Sequence, residues 1–351
     1  AYILHIILES LDKGGCLARL FFADFRKGFD LIDHQILLRK LAQFDLHNCL
    51  LRWVACFLQG RSQFVTISPA TSSPMVLNGG IPQGTKIGPL LFAVMVNDLV
   101  STWSPRAKFV DDLSVVEIVP RNSLLVLNFI VQDINQYAVT NNMTLNPSKC
   151  KEMSVDFLQY NSCVLRPIVV GNAIVERVAS FKLLGVYISR DLTWFTHVDY
   201  ILKKANKRLY ILRALRRSGV SVPDMVNIYC AVIRSVVEYA SPVFSDLPAV
   251  LCCALERMQK RALSIILPGV SYQEALCQSG LAPLEVRRAE SCVNFMKSVK
   301  SGNPLLPICE GLLVNNESKY NLRHQLQHKV IVNTNRFKDF VTFRYAHSIV
   351  N

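Results

Sequence analysis

Apolar positions in the first half of the chain follow two periods. ARLFFADF (18–25) is a short apolar run that ends in an acid, and it predicts a buried strand ending at Asp24. Residues 33–44 (DHQILLRKLAQF) and 48–59 (NCLLRWVACFLQ) carry apolar side chains at helical spacing, the first opening on Asp33 as an N-cap. RSQFVTI (61–67) alternates as a strand does, and the turn-rich ISPATSSP follows. VLNGGIPQGTKIGPLLFAVMVNDL begins as a glycine-rich loop, the kind that can bind phosphate where it feeds a helix, and continues as an apolar helix with Pro89 near its first turn. KFVDDLSVV predicts two short strands joined by a tight turn, with Asp111 and Asp112 at the hairpin tip. A helical pattern over 122–142 follows, then strands over Cys150–Val155, Val164–Val170 and, broken by Gly185, 180–188.

From about residue 195 only helical patterns remain. Thr196 and Asp199 are spaced as a capping box ahead of VDYILKKANKRLYILRALRRSG, and Gly219 is its stop signal. This helix carries seven Lys or Arg between 203 and 217, while Ile201, Ala205, Leu209, Leu212 and Leu215 form an apolar stripe that should pack. Further helices are predicted over 224–240, before Pro242, and 249–267, before Pro268. Residues 270–351 are mixed and basic, without a clear period. No internal repeat is present.

Composition narrows the class. With 351 residues, 51% of them hydrophobic, the chain can bury the cores of two or three domains. A net charge of +13 favours a polyanionic partner, nucleic acid ahead of an anionic membrane surface. No apolar run approaches the roughly 20 residues of a spanning helix, and AYILHIILESLDK lacks the features of a signal peptide. A soluble intracellular protein is therefore expected. The eleven cysteines include no CxxC pair and read as buried thiols of a reducing compartment. The chain starts at Ala1 and reads as a fragment of something longer.

The acids supply the chemistry. An Asp-Asp turn alone is most often a solvated surface feature. If the strand ending at Asp24 neighbours the Asp111–Asp112 hairpin, however, three carboxylates converge at one sheet edge. Packed that closely they repel unless cations neutralise them, and Mg²⁺ takes such oxygen ligands while leaving positions for substrate phosphates. Two ions about 3.5 to 4 Å apart activate an attacking hydroxyl and stabilise a leaving pyrophosphate.

Five segments, FFADFRKGFDLIDH, NGGIPQGTKIGPLLF, KFVDDLSVV, MTLNPSKCKEM and SFKLLGVYIS, resemble in order and approximate spacing the palm motifs of reverse transcriptases, most closely those of non-LTR (LINE-like) retrotransposons. The resemblance is strongest over 18–190, recognisable to about 269 and thinner beyond. It implies an α+β right-hand polymerase palm, an antiparallel sheet with packed helices and partial fingers (1–190), then a helical thumb (191–269) and a C-terminal region of unknown role (270–351). It also implies RNA-directed DNA polymerase activity with two Mg²⁺ ions, or Mn²⁺ in their place. RNA template, DNA primer and dNTPs would be the partners, within an element ribonucleoprotein of nucleus and cytoplasm.

Position by position, the resemblance makes Asp24, Asp111 and Asp112 the catalytic acids and metal ligands, with the Phe25 carbonyl completing the shell. Phe29 matches the aromatic gate that excludes a ribose 2′-OH; Gln83 and Gly84 match the residues near the incoming nucleotide. Lys149 matches the lysine proposed to protonate pyrophosphate, with Lys151 as the fallback. Phe181 to Val186, including Gly185, match the primer grip, and Lys203, Lys204, Lys207 and Arg208 would track backbone phosphates. Each also has an ordinary reading: Phe29 as core, Gln83 as a helix cap, Lys149 as a solvated lysine, the basic helix as a solvated face.

The chain departs from the family pattern at Gly28, commonly Ala, and at Leu113, commonly polar. Few residues precede Asp24, where finger strands are expected, and no endonuclease module is present. A catalytically silent nucleic-acid-binding remnant is therefore the competing reading. An RNA-dependent RNA polymerase, with Asp30 as its ribose-reading acid, ranks below both.

Overall fold

The computed structural model describes residues 1–159, 165–299, 302–314, 327–328 and 331–349. The chain divides into two compact units, one of Gly15–Ala179 and one of Ala1–Gly14 with Ser180–Asn351. Helix α1 (Tyr2–Lys13) opens the chain, although no helix is predicted there.

The Gly15–Ala179 unit is built on a five-stranded sheet. Its strands are β1 (Cys16–Ala23), β2 (Arg106–Phe109), β3 (Asp112–Pro120), β4 (Lys151–Val155) and β5 (Glu176–Arg177), in the order β5-β4-β1-β3-β2. All pairings are antiparallel except β5 with β4. Every residue of the central β1 is buried, which accounts for its almost wholly apolar sequence. The exception is Arg19, fully buried and paired with Glu152 Oε1 (2.8 Å) on β4 and Glu117 Oε2 (3.4 Å) on β3. Glu117 also accepts the Val126 N–H (2.5 Å) at the entry of the following helix. Buried charge is tolerated here because each partner is paired.

Helices α2 (His34–Leu41), α3 (Asn48–Leu58), α4 (Gly88–Met95) and α5 (Leu127–Thr140) share a core with β1 and β3, formed by Phe21, Leu37, Leu58, Phe92, Val115 and Ile134 among others. Asp33 caps α2 through the Gln35 and Ile36 N–H groups, and Pro89 stands in the first turn of α4, both as predicted. Helices α2 and α5 are shorter than their sequence patterns. The predicted strand over 61–67 breaks into two ribbons, Ser62–Gln63 with Met75–Val76 and Thr66–Ile67 with Ala70–Thr71, exposed throughout because among the described residues no further strand pairs with them. Of the strand predicted over 164–170, Val164 lies outside the described residues and only Val169–Val170 forms a strand, turning at Gly171 onto Ala173–Ile174.

In the other unit, β6 (Ser180–Leu183) and β7 (Val186–Ser189) form a hairpin turning at Leu184 and Gly185. Helix α6 (Phe195–Arg217) starts without the predicted capping box. Its start is set by Trp194, buried and donating Nε1–H to Asp246 Oδ1 (2.6 Å), so Thr196 falls inside the helix and Asp199 pairs with Lys203 instead (2.7 Å). The pattern over 224–240 is realised as α7 (Val222–Ile228), a π-helical turn (Tyr229–Arg234) and α8 (Ser235–Glu238). That over 249–267 is α9 (Ala249–Ile266). Residues beyond 270 include α10 (Tyr272–Ser279), with a complete Ser271/Glu274 capping box, and α11 (Leu284–Lys297). The C-terminal segment closes on α1: Thr342 bonds His5 (2.6 Å), and Asp12 accepts the N–H groups of Asn333 and Thr334.

The cysteines correct the reading of uniformly buried thiols. Cys16, Cys150, Cys292 and Cys309 are buried, but Cys49, Cys56, Cys253 and Cys277 are exposed on helix faces away from the cores. Cys163 lies outside the described residues. Among the described residues, no helix is long and apolar enough to cross a membrane.

Candidate active site

Asp24 follows β1 directly. Its N–H donates to Cys150 Sγ (3.4 Å) and its carbonyl accepts the Asn146 N–H (2.8 Å). Ser148 Oγ donates to Asn146 Oδ1 (2.8 Å), so the amide nitrogen of Asn146 is left to serve the Asp24 carboxylate. Asn146 and Cys150 belong to the LNPSKCKEM segment, where sequence reasoning singled out only the lysines.

Antiparallel register brings the other acids in. Ala23 pairs with Leu113 and Phe109 with Asp112, so Asp24, one step past Ala23, falls opposite Asp112, while Asp111 occupies the two-residue turn. Val110 completes that turn at φ 54, a left-handed conformation that a β-branched residue rarely adopts and that strains the tip. Burial raises the Asp112 pKa first, and Asp111 and Asp24 push it further. Asp24 is likewise raised by burial, with Lys149 and Asn146 pulling back and Asp111 adding to the rise.

Such a site fits a divalent cation. Among the described residues the buried Oδ2 of Asp24 has no hydrogen-bond partner, and Lys149 Nζ is 3.9 Å away. Phe25 and Leu145 form an isolated antiparallel bridge whose bonds run from Arg26 N–H to the Thr144 carbonyl and from Asn146 N–H to the Asp24 carbonyl. In that pattern the carbonyl of Phe25 points away from Leu145, outside the bridge. Among the described residues, no three His, Cys, Asp or Glu side chains by themselves form a metal cage. Mg²⁺ does not require one, since it is commonly held by one or two carboxylates plus water and substrate phosphates.

Phe29 and the loop before α4 are zipped together. Ile81 N–H donates to the Phe29 carbonyl (2.7 Å), Gly80 N–H to the Ile32 carbonyl (2.8 Å), and His34 Nε2 bonds the Gly80 carbonyl (2.6 Å). The half-buried Phe29 ring stacks on Phe92 (4.8 Å between centroids) and lines a cavity of about 490 Å³ with Gln83, Gly84, Lys86 and Pro89. Core packing and cavity wall are thus two faces of one ring. Gln83 does not cap α4; Thr85 Oγ1 accepts the Gly88 N–H instead, and Gln83 Nε2 donates to Asp30 Oδ1 (2.9 Å). At φ 78 with open space around it, Gly84 lets the backbone turn beside the cavity. Lys149 is exposed beside Asp24, whereas Lys151 is tied to Glu176 Oε2 and the Ser148 carbonyl (2.7 Å each).

The expected nucleic-acid residues lie in the unit that holds α6. Phe181 is half-buried on β6. Gly185 has φ 86, and a Cβ there would stand 3.0 Å from the Tyr239 ring, whose hydroxyl donates to the Leu184 carbonyl (3.0 Å). On α6 the stripe of Ile201, Ala205, Leu209 and Leu212 is buried and Lys203, Lys204 and Lys207 are exposed. Arg208 is the correction: it is half-buried and donates to the Val232 carbonyl in the π-helical turn, so it does not belong to the exposed basic face.

Comparison with known proteins agrees with this geometry. A family model described as "Reverse transcriptase (RNA-dependent DNA polymerase)" matches residues 7–188. The RNA-directed DNA polymerase from mobile element jockey of Drosophila funebris is 24% identical over 263 residues, 69% of this chain and 27% of that protein. The probable RNA-directed DNA polymerase from transposon BS of Drosophila melanogaster is 24% identical over 283 residues, covering 75% and 30%. The Pol polyprotein of retrotransposable element R2 of Popillia japonica is 24% identical over 215 residues, covering 54% and 36%. The chain thus spans about a third or less of the jockey and BS proteins. A solved telomerase from Candida tropicalis superposes with a TM-score of 0.43 at 11% identity, covering 80% of this chain and 51% of that one. With the family model spanning more than half of its length and the acids in register, the chain belongs to the reverse transcriptase family.

Proposed function

We propose that the chain is the polymerase part of a non-LTR retrotransposon protein, an RNA-directed DNA polymerase that extends a DNA primer on an RNA template. The observation that carries this reading is the register of β1 against β3, which sets Asp24 opposite Asp112, together with the raised pKa values of both acids. Asp24, Asp111, Asp112 and the Phe25 carbonyl would hold two Mg²⁺ ions, or Mn²⁺, which when bound supply Lewis-acid activation of the primer hydroxyl and charge neutralisation at the leaving pyrophosphate. The protein's own contribution is positional. Cys150 and Asn146 hold Asp24, the strained Val110 turn holds Asp111 and Asp112, and the Phe29 and Gln83 cavity admits the dNTP. Lys149, beside Asp24 and not engaged as Lys151 is, suits proton delivery to pyrophosphate.

A silent remnant does not require Asp24 to lie opposite Asp112 with Asp111 in the adjoining turn, whereas the polymerase reading does. Binding of template and primer falls to the exposed lysines of α6 and to the β6–β7 hairpin, and the function implies an RNA-containing particle. Primer extension on an RNA template with Mg²⁺ and dNTPs tests the proposal. Asp24→Asn and Asp111→Asn are each expected to abolish extension while template-primer binding largely survives; near wild-type extension by both variants would overturn the reading.

A further inference from the structure

Asp30 is left with no role by the proposed reaction, yet the structure ties it closely to the nucleotide cavity. Its carboxylate accepts from Gln83 Nε2 at 2.9 Å. The contact is built into the backbone as well. Gly80 runs over Asp30 at φ +86, and a Cβ on it would stand 2.7 Å from the Asp30 carbonyl, so only glycine lets the loop lie there. Gln83 walls two cavities, one of about 520 Å³ that also includes Asp30 and one of about 490 Å³ that includes Phe29. Asp30 does not line the Phe29 cavity.

We propose that Asp30 is a positioning residue for nucleotide binding, acting through the Gln83 amide rather than on the sugar. A carboxylate only accepts hydrogen bonds, so the amide nitrogen must face Asp30 and Oε1 is left to the cavity wall. The wall then presents an acceptor to a donor group of the incoming nucleotide. This assignment rests on the reading of the Phe29 and Gln83 cavity as the nucleotide site. An acid at the spacing of a ribose reader thus meets Gln83 and lies outside the lining of the Phe29 cavity.

The test is dNTP titration of the full chain with Mg²⁺ and an RNA template annealed to a DNA primer lacking its 3′-hydroxyl, so that binding is read without turnover. Gln83→Ala and Asp30→Ala are each expected to weaken dNTP binding about fivefold, the scale of one hydrogen bond. The double variant should be no weaker than Gln83→Ala, since both act through one contact. Asp30→Asn, whose amide oxygen can accept from Gln83, should stay within about twofold of wild type. Asp30→Ser, too short to reach Gln83, should reproduce Asp30→Ala and serves if the alanine variant does not fold. Unchanged binding in Asp30→Ala or Asp30→Ser while Gln83→Ala is weakened, or effects that multiply in the double variant, would overturn the role of Asp30 alone. Unchanged binding in Gln83→Ala would bring down the cavity reading, and the role of Asp30 with it.

Discussion

Lys149 Nζ stands 3.9 Å from Asp24 Oδ2, a buried oxygen that accepts no hydrogen bond among the described residues. The lysine is 67% exposed, so its pairing with Asp24 contributes little to stability. Its position beside Asp24, the acid proposed to hold the metal, is what distinguishes it. Lys149→Met is expected to slow single-turnover extension by about 10²- to 10⁴-fold, the usual contribution of a positioned proton donor. Lys151→Met should have a far smaller effect. Equal losses in the two variants would remove Lys149 from the chemistry.

Phe29 tests sugar selection. Its ring rests on Phe92 and faces the cavity that holds Gln83 and Gly84. Phe29→Val should therefore raise rNTP incorporation relative to dNTP. Because the ring is only partly buried, the stability cost should fall below the roughly 3 to 5 kcal/mol of a fully buried Phe→Ala. The dNTP to rNTP ratio and the melting temperature, measured on the same variant, separate gate from core: a lowered melting temperature with an unchanged ratio makes Phe29 packing only.

On α6, charge and burial give a graded expectation. Replacing the exposed Lys203, Lys204 and Lys207 by Gln should weaken template-primer binding and flatten its salt dependence, by up to about 0.9 in slope for each phosphate no longer neutralised. Lys203, already paired with Asp199, should contribute least. Arg208→Gln should instead lower thermal stability, because it releases the Val232 carbonyl, and leave the salt slope nearly unchanged. A slope unaltered by the three lysine changes would show that this face does not meet the backbone.

Two buried histidines set an acid limit to stability. Burial pushes His197 down to about 4, and His5 down to about 4 despite the opposing pull of Glu9. Tyr187 N–H donates to His197 Nδ1 (3.4 Å), so the remaining proton sits on Nε2, which is buried and has no partner among the described residues. Both groups take up a proton more readily unfolded than folded. Their contribution is complete above about pH 6.5 and is lost as pH falls towards 4, at up to about 1.4 kcal/mol per pH unit for each histidine. Asp24 and Asp112, with raised pKa values, oppose this over the carboxylate range. Urea midpoints between pH 7 and 4.5 should fall, and His197→Phe should reduce the slope; a midpoint flat across that range would show that these rings protonate without opening the core.

What could be read from the sequence was whatever depends on local pattern and on motif. The apolar run of β1, the caps and proline of α2 and α4, the acid-bearing hairpin and the stripe of α6 are each set by residues near in sequence, and the five motifs identify the family. Register and long-range pairing were decided only by the tertiary structure. Asp24 meets Asp112 because β1 and β3 pair antiparallel in one register, and that pairing shares its buried charge among Arg19, Glu117 and Glu152, residues that local reading scores simply as polar. The same holds for Arg208, which local periodicity places on a basic face but which the π-helical turn draws inward to a carbonyl, and for Asp30, bound to a glutamine 53 positions along the chain. A side chain's role follows from the groups that satisfy its hydrogen bonds and charge, and when those groups are distant in sequence only the folded chain brings them within reach.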